Sequence, residues 1–561
     1  GEGGTHKKAG GGVARHGQRA RCRDTHVPWR RAARAIVAAV VMCLPATVHA
    51  ADDLVVLARP GPWPAISGLI GFDGRLWFVN SVRYPNHNSA DIYSYDPADG
   101  TTRFEAALFS QDAGDPVVFE GRLYWPFEDP RWSTGRGEYM VTDGRAWRWH
   151  VPPDGQVFHV HAMRALDGRL YAATGAWRAG LQVSGDGGAT WRVIYDRPTP
   201  EGRVTRITAL EPFAGALYAG LTDRGGDGAR LLRLNGETIA PVAGWPAGHR
   251  VGVLAVHGGW LYGNNVTAKG SSLWRTDGAA VERVTGLDGH VTRALAAGDD
   301  ALWAVTGTSG QGRLWRSADG DSWQTVQTFA GAMPLDVAVY GGHVYVGTLE
   351  AGARGALWGP AAPAPVEAST TRPLSPAVAS DLDPTALLAD LDRALADPES
   401  YEGYGRGLRK ALWPLARHRS AAIGAALSAR LTGPFPEVML QMFSKDFVVT
   451  AEEMGQWYLL WAVARAGHGR VPPELIARPW RAVTNNAEKY YEPTSGAAWA
   501  AARLGQDDDA TLAALIAHLE TPGDPDWLAG DMIGALTSLT GQRFGHDVAA
   551  WRQWWEGRQG E

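Results

Sequence analysis

Residues 168–172 read GRLYA, a glycine turn followed by an apolar-aromatic strand, and six other stretches of the chain repeat this pattern. The copies are GRLWF at 74–78, GRLYW at 121–125, GALYA at 215–219, GWLYG at 259–263, DALWA at 300–304 and GHVYV at 342–346. Their aligned apolar residues lie 41 to 47 residues apart. This period is typical of a four-stranded propeller blade. The sequence therefore predicts a seven-bladed β-propeller over residues 51–360.

The seventh unit ends early, at GALWGP over residues 355–360, before an outer strand could form. Residues 53–58 read DLVVLA and precede the first unit, and their composition suits a strand. We expect this segment to complete the seventh unit, because such closure removes an exposed sheet edge.

Two hairpin segments carry a more specific pattern, SGDGGATW at 184–191 and SADGDSW at 317–323. Both resemble the Asp box of bacterial neuraminidases and related propellers. The resemblance implies a hairpin between the third and fourth strands of a blade, with side chains capping backbone N–H groups and a tryptophan packed beneath. It gives structural roles, away from any site, to Ser184, Asp186, Gly188, Trp191, Ser317, Asp319 and Trp323.

Other features of the sialidase family are missing from this chain. That family has six blades, an Arg-Ile-Pro stretch, an arginine triad and a Tyr-Glu nucleophile pair. Here seven units are counted, and Arg59-Pro60 stands near the expected place without the isoleucine. The resemblance therefore implies the fold, and it argues against sialidase activity.

The N-terminal 50 residues predict export. Residues 30–50 read RRAARAIVAAVVMCLPATVHA, with arginines, an apolar run and a Val-x-Ala cleavage pattern in order. We interpret residues 29–50 as a signal peptide and residues 1–28 as an unstructured upstream segment, so the mature protein is periplasmic or secreted, without a stable membrane span. Both cysteines lie in this segment, and residues 51–561 have a formal net charge of −12. This charge argues against nucleic acid as a partner.

The last third of the chain changes to helical periodicity. Residues 361–382 are rich in Pro, Ala, Ser and Thr and predict a linker, and residues 383–561 predict an all-helical domain. Its end, ALTSLTGQRFGHDVAAWRQWWEG at 535–557, resembles the end of bacterial HEAT-like helical repeats. We expect Trp551 and Trp555 to pack on the preceding helix, with a protein-binding role as the alternative.

Candidate site residues come from aligning the first strand of each unit, which in a propeller runs beside the central channel. Eleven and nine residues before the aligned apolar position, charged and polar side chains gather at the predicted channel mouth. They are Asp112, His159, Arg206 and Arg250 in one column and His161, Thr208 and Arg293 in the other, with Asp115 and Asp336 one step away.

Two interpretations of this cluster stay open. The side chains are either solvated or salt-bridged strand ends, or they form an anion-binding funnel. In the second case Arg206, Arg250, Arg293, Asp112 and Thr208 bind the ligand, since guanidinium groups suit carboxylate or sulfate oxygens.

The function predicted from the sequence is an exported binding or scaffold module for an extracellular ligand, an anionic glycan or a protein. Aromatic and polar insertions at 81–93 and 124–140 suit a sugar-binding cleft. The alternative is a carbohydrate-active hydrolase or lyase that uses His159, His161 and Asp115. No cofactor is predicted, although the two histidines of the His-x-His stretch could also ligate a divalent metal.

Overall fold

A computed structural model describes residues 53–560, with gaps at 84–89, 109, 129–136, 151–158, 176–177, 201–202, 227, 309, 364, 369, 375–382, 417–419, 442–447, 480–492 and 525. The predicted signal peptide at 29–50 and the upstream segment 1–28 lie outside the described residues. Among the described helices, none combines the length and the apolar character that a membrane span requires.

The first part of the chain is made of short antiparallel strands. The first seventeen are β1 (Leu54–Ala58), β2 (Ala65–Phe72), β3 (Arg75–Ser81), β4 (Ala90–Tyr95), β5 (Thr102–Ala107), β6 (Val117–Phe119), β7 (Arg122–Pro126), β8 (Tyr139–Thr142), β9 (Trp147–His150), β10 (His159–Leu166), β11 (Arg169–Gly175), β12 (Arg178–Ser184), β13 (Arg192–Pro198), β14 (Val204–Phe213), β15 (Ala216–Arg224), β16 (Leu231–Asn235) and β17 (Thr238–Pro241).

Eleven more strands follow in the same style. They are β18 (Leu254–His257), β19 (Trp260–Thr267), β20 (Gly270–Thr276), β21 (Val281–Val284), β22 (Thr292–Ala297), β23 (Leu302–Thr308), β24 (Gln311–Ser317), β25 (Gln324–Ala330), β26 (Met333–Tyr340), β27 (His343–Leu349) and β28 (Leu357–Pro360). Within the described residues, each of the seven repeated sequence patterns falls on the second strand of a four-stranded antiparallel set.

The repeat forms a strand for a local reason that residues 167–172 illustrate. Asp167 and Gly168 both have positive φ, at 51° and 69°, which closes the tight turn between β10 and β11. Leu170 then enters the core with no exposed surface, and Tyr171 is 6% exposed. Alternating aromatic and aliphatic residues thus fill both faces of the set.

The N-terminal strand completes the last set, as the sequence predicts. β1 pairs antiparallel with β28, from Leu54 opposite Pro360 to Ala58 opposite Leu357. The first strands of successive sets, β6, β10, β14, β18, β22 and β26, contact one another in chain order, and β26 returns to β2. This arrangement is that of a β-propeller, and its count of seven blades stays a prediction.

Both Asp-box segments form the hairpins that the resemblance implies, between β12 and β13 and between β24 and β25. In the first, Ser184 Oγ accepts a hydrogen bond from the Gly188 amide (2.8 Å), and Asp186 Oδ1 accepts one from the Thr190 amide (2.8 Å). Trp191 is buried and donates its indole N–H to the Tyr139 hydroxyl (3.2 Å).

The second of these segments, at 317–323, forms a turn of the same geometry with one residue fewer. Asp319 Oδ1 accepts hydrogen bonds from the amides of Asp321 (2.9 Å) and Ser322 (2.7 Å), and Ser317 Oγ accepts one from Gly320 (2.8 Å). Trp323 is half-buried beside Gly286. These side chains therefore cap their own turns.

The described part of the predicted linker is attached to the strands. Arg122 donates its Nε hydrogen to the Arg372 carbonyl (3.0 Å), and the Arg372 amide donates to the Gly121 carbonyl (2.9 Å). Leu374 packs among apolar residues of neighbouring strands. Residues 370–374 are thus not a freely mobile linker. An extended, proline-rich chain leaves its backbone N–H and C=O groups exposed, and residues of a turn such as 120–122 can form hydrogen bonds with them.

The rest of the chain is helical, with one short hairpin formed by β29 (Met439–Gln441) and β30 (Val448–Thr450). The helices are α1 (Thr385–Ala396), α2 (Glu402–Ala416), α3 (Ala421–Ser428), α4 (Ala451–Ala466), α5 (Pro473–Ile476), α6 (Pro493–Leu504), α7 (Asp509–Leu519), α8 (Asp526–Thr540) and α9 (Val548–Gln559), and a 3-10 turn covers Pro398–Tyr401.

The helices share one hydrophobic core with the first two strand sets. Trp149 of β9 meets Trp461 of α4 and Trp499 of α6 edge to face, with ring centroids 6.4 Å and 5.0 Å apart. In α9, Trp551 is fully buried and packs against Phe544, which precedes that helix. Trp555 is partly buried against the same core, and packing of these two indoles on the preceding helix stays a prediction.

Candidate functional site

A cavity of about 950 Å³ lies where the first strands of the sets converge. Its wall includes residues from β2, β10, β14, β22 and β26 and from the segments that lead into β6 and β18. Pockets of this size accommodate small-molecule ligands. The wall holds eight of the predicted site residues, Asp112, Asp115, His159, His161, Arg206, Thr208, Arg250 and Arg293, together with Asp336.

Bulges at matching places aim side chains of the first strands into this cavity. The pairing of β10 with β11 skips His161, that of β14 with β15 skips Thr208, and that of β22 with β23 skips Arg293. In β26 the skipped residue is Leu335. A bulge adds a residue that faces out of the normal alternation, so it can redirect a side chain toward a site.

Arginines dominate the charge of the cavity wall. Six line it, Arg83, Arg164, Arg206, Arg224, Arg250 and Arg293, against four carboxylates, Asp112, Asp115, Glu128 and Asp336. With neutral histidines, the formal charge of the wall is positive by two. An anion inside the cavity is therefore favoured electrostatically.

Three of these arginines form a group without carboxylate partners. Among the described residues, no carboxylate lies within ion-pair distance of Arg224, Arg250 or Arg293. Arg293 donates its Nε hydrogen to the Gly307 carbonyl (3.0 Å), which leaves its terminal nitrogens for other partners. The low-dielectric surroundings, and then the guanidinium groups of Arg83 and Arg224, lower the pKa of Arg250 to about 10.

The other predicted cation, Arg206, has an acidic neighbour. Its Nη1 lies 3.5 Å from Glu128 Oε1, and burial raises the pKa of Glu128 despite this pair. Asp112 is similarly engaged, because Arg83 Nη1 (2.9 Å) and Ser81 Oγ (2.9 Å) both donate to its carboxylate. Arg206 and Asp112, both predicted to bind the ligand, thus already form ion pairs or hydrogen bonds with other side chains of the protein.

The two histidines of β10 stack on each other, with ring centroids 5.1 Å apart. Burial lowers the pKa of both rings well below the usual value, and the nearby Arg206 adds to this effect. His159 Nδ1 contacts the Glu128 carbonyl, whereas His161 Nε2 is buried without a hydrogen-bond partner. A side chain at Gly175 would displace Arg206 and His161, so glycine leaves the space that both occupy.

Asp115 and Asp336 lie on other parts of the wall. Asp115 is half exposed, and its oxygen is 3.9 Å from Arg164 Nη2. Asp336 accepts hydrogen bonds from the backbone amides of Leu69 (2.8 Å) and Val337 (2.9 Å). Burial, partly offset by the Leu69 amide and reinforced by Asp115, raises the pKa of Asp336 to about 6. The pKa of Asp115 is raised as well, because the surrounding protein atoms desolvate the carboxylate even though about half of its side-chain surface is exposed.

The remaining predicted residue, Thr208, shares a hydrogen bond with the Thr222 hydroxyl (2.9 Å). Among the residues that the structure describes, no three His, Cys, Asp or Glu side chains are grouped so that they could hold a metal ion. The His-x-His pair therefore has no third protein ligand in the described chain.

Sequence reasoning missed Arg83, Arg164, Arg224 and Glu128. Arg83 and Glu128 follow the ends of the second strands β3 and β7, and Arg164 lies in the first strand β10 but outside the two aligned columns. Arg224 ends β15, the second strand of its set, so only a comparison of second strands could have found it.

No family model matches the chain, and no curated protein matches it. Solved structures with a similar backbone include the β-propeller domain of the Trilobed protease from Pyrococcus furiosus, at 10% identity and a TM-score of 0.38, over 53% of this chain and 93% of that one. YCF48 from Cyanidioschyzon merolae aligns at 14% identity and a TM-score of 0.36, over 55% and 98%.

The acylaminoacyl peptidase of Pyrococcus horikoshii aligns at 8% identity and a TM-score of 0.38, over 53% of this chain and 51% of its own. This chain thus matches about half the length of that peptidase. Likenesses of this degree carry no argument about activity, and the propeller assignment rests on the strand pairing described above.

Proposed function

We propose that the protein binds a small anionic ligand, a sugar acid, in the cavity between the first strands. The observation that carries this proposal is the group of three arginines without carboxylate partners, Arg224, Arg250 and Arg293. Charge-assisted hydrogen bonds from guanidinium groups to a carboxylate are short and strong. Arginines without carboxylate partners repel one another, so an anionic ligand stabilises them more than it stabilises arginines that are already ion-paired.

The test is calorimetric titration of the purified protein with glucuronyl-N-acetylglucosamine and with cellobiose, a neutral disaccharide of similar size. We expect the acidic disaccharide alone to bind. Alanine at Arg224, Arg250 or Arg293 should weaken binding roughly tenfold to hundredfold, about 1.5–3 kcal/mol for each lost charge-assisted contact.

Arg283→Ala is the matched control, because Arg283 lies on the outer strand β21 and pairs with Asp288 at 3.0 Å. It should bind as the parent does. Equal binding of cellobiose, or three cavity variants with parental affinity, would return these arginines to the interpretation of solvated strand ends.

Export and family placement belong to the same proposal. A cleaved signal peptide would put the cavity in contact with extracellular or periplasmic sugar acids, and the capped hairpins at Asp186 and Asp319 support kinship with Asp-box propellers. The helix pairs, such as α6 and α8, support a HEAT-like origin for the C-terminal region. N-terminal sequencing of the exported protein should begin near Ala51, and recovery of residues 1–28 would contradict export by this route.

A second candidate is a hydrolase or lyase that acts on the same sugar acids. The pKa of Asp336, raised to about 6 on the cavity wall, favours it, because a carboxyl group that titrates near neutral pH can act as a general acid. Incubation with glucuronic-acid oligosaccharides, followed by chromatography, tests it. Cleavage that Asp336→Asn abolishes would support an enzyme, and intact substrate at high enzyme concentration would contradict one.

A further inference from the structure

Among the described residues, two carboxylates of the cavity wall, Asp115 and Asp336, form no ion pair with Arg224, Arg250 or Arg293, although the charge of Asp115 acts on the pKa of Arg250. Arg250 leads into β18 and Arg293 lies on β22, so the arginines without partners follow consecutive sets. Asp336 lies on β26, which contacts β2 and β22, and Asp115 leads into β6, which contacts β10. Asp115 contributes to the raised pKa of Asp336, so these two carboxylates make up the carboxylate side of the wall.

The carboxylate side of the wall is available to a ligand. Asp115 has a half-exposed side chain whose ion-pair partner, Arg164, is at 3.9 Å, longer than a hydrogen bond. Asp336 uses each oxygen for one backbone amide, and a carboxylate oxygen accepts more than one hydrogen bond. Among the described residues, no arginine or lysine pairs with Asp336.

His161 supplies an independent sign of a ligand between the two sides. It is 7% exposed, lines the cavity and has a buried Nε2 without a hydrogen-bond partner. A buried polar atom without a partner is destabilising unless another group, such as a ligand or a water held with it, completes the bond. Burial lowers the pKa of its ring well below the usual value, which favours the neutral form and suits contact with an uncharged part of a ligand.

We propose that the ligand is zwitterionic, with a carboxylate for Arg224, Arg250 and Arg293 and an ammonium group for Asp115 and Asp336. This inference rests on the proposed function and specifies its ligand. A purely anionic molecule would satisfy the arginines but meet repulsion from the two carboxylates. A free amino sugar joined to a uronic acid satisfies both sides of the wall at once.

The experiment compares two disaccharides that differ by one acetyl group, glucuronyl-glucosamine and glucuronyl-N-acetylglucosamine. Both carry the carboxylate, and only the first carries an ammonium group. We expect the free amine to bind at least about tenfold more tightly by calorimetry. Equal affinities, or tighter binding of the acetylated form, would overturn the inference while leaving the proposed function intact.

Asparagine variants locate the effect. Asp115→Asn combined with Asp336→Asn should remove the preference for the amine and leave the acetylated form bound at least as well as before, because a repulsion is lost. Asp300→Asn, on the exposed surface beside Arg316, is the control and should keep the preference. Persistence of the preference in the double variant would overturn the inference, and absence of binding by either disaccharide would remove the proposed function with it.

Discussion

Arginines and carboxylates cluster in two regions of this molecule, the interface between helices and strands and the cavity, and they form ion pairs to different extents there. Where the helices meet the first strand sets, the buried carboxylates Glu105 and Asp91 each have a partner from the helical region. Glu105 contacts Arg543, and Arg103 lies 2.9 Å from it, while Asp91 accepts from His546 Nε2 at 3.1 Å. In the cavity, Arg224, Arg250 and Arg293 have no carboxylate within ion-pair distance among the described residues.

The difference supports the proposal that the charged residues of the interface stabilise the fold and that those of the cavity bind a ligand. Matched buried charges hold two parts of the chain together, and removing one partner leaves the other desolvated and alone. Unmatched cations on a cavity wall weaken the fold slightly and are compensated when an anion enters. Substitutions at the interface should therefore change stability without changing affinity, and substitutions in the cavity should do the reverse.

The largest effect is expected for Glu105→Ala, which leaves Arg543 without its carboxylate. Glu105 is almost fully buried and also accepts from Ser94 Oγ (2.5 Å). We expect the free energy of unfolding, measured by urea denaturation, to fall by about 3–5 kcal/mol. Glu237→Ala removes an exposed partner of Arg192 and should cost less than about 1 kcal/mol. Similar losses for both variants would break the comparison.

A pH-dependent effect of the next size is expected at Glu138. Burial raises its pKa to about 8, and the Trp149 indole donates to it at 2.7 Å. The folded protein therefore keeps a proton that the unfolded chain releases above its ordinary pKa. The resulting stability is fully present below about pH 4.5 and is lost as pH rises through 8, a total of about 5 kcal/mol, of which about 3 kcal/mol is lost between pH 5.5 and 8.

Glu138→Gln should remove this slope, since the amide stays neutral and still accepts from Trp149. Urea denaturation at pH 5.5, 7 and 8.5 should give nearly constant stability for the variant and a steady decline for the parent. Parallel curves would show that Glu138 is ionised in the folded state. Affinity for a sugar acid at pH 7 should be the same in both proteins.

A smaller loss is expected from Asp186→Ala, in the hairpin between β12 and β13. Burial opposes ionisation of Asp186, but hydrogen bonds from the Thr190 side chain and amide outweigh it and lower its pKa. Removal of these bonds should cost about 1–3 kcal/mol in thermal or urea unfolding, with unchanged affinity. Asp299→Ala, at an exposed turn, is the control. A variant that kept its melting temperature but lost binding would contradict the structural role.

The sequence predicted the propeller because turn chemistry repeats at a fixed period. The Asp167-Gly168 turn, the buried Leu170 and the closing strand at 54–58 all follow from local patterns that each set repeats. The hairpins at 184–191 and 317–323 were equally predictable from the sequence, since side chains such as Ser184 and Asp186 form hydrogen bonds within their own turn.

The site was predictable only in part. Arg206, Arg250 and Arg293 do line one cavity, because the first strands converge there. Whether each has a partner depends on other strands: Glu128 reaches Arg206 from the end of β7, whereas no carboxylate of the described residues lies within ion-pair distance of Arg250. The bulges at His161, Thr208 and Arg293 also break the strict alternation on which a sequence argument relies.

The most direct test of the central claim needs no ligand. Arg250→Gln removes one unmatched cation from beside Arg83 and Arg224, whose charges contribute to lowering the pKa of Arg250. If these arginines lack carboxylate partners because they bind a ligand, the ligand-free variant should have an unchanged or higher free energy of unfolding in urea. The increase should be at most about 1 kcal/mol, because Arg250 is exposed and solvent screens the repulsion. A loss of stability near that of Glu105→Ala would contradict the claim and make Arg250 a structural residue.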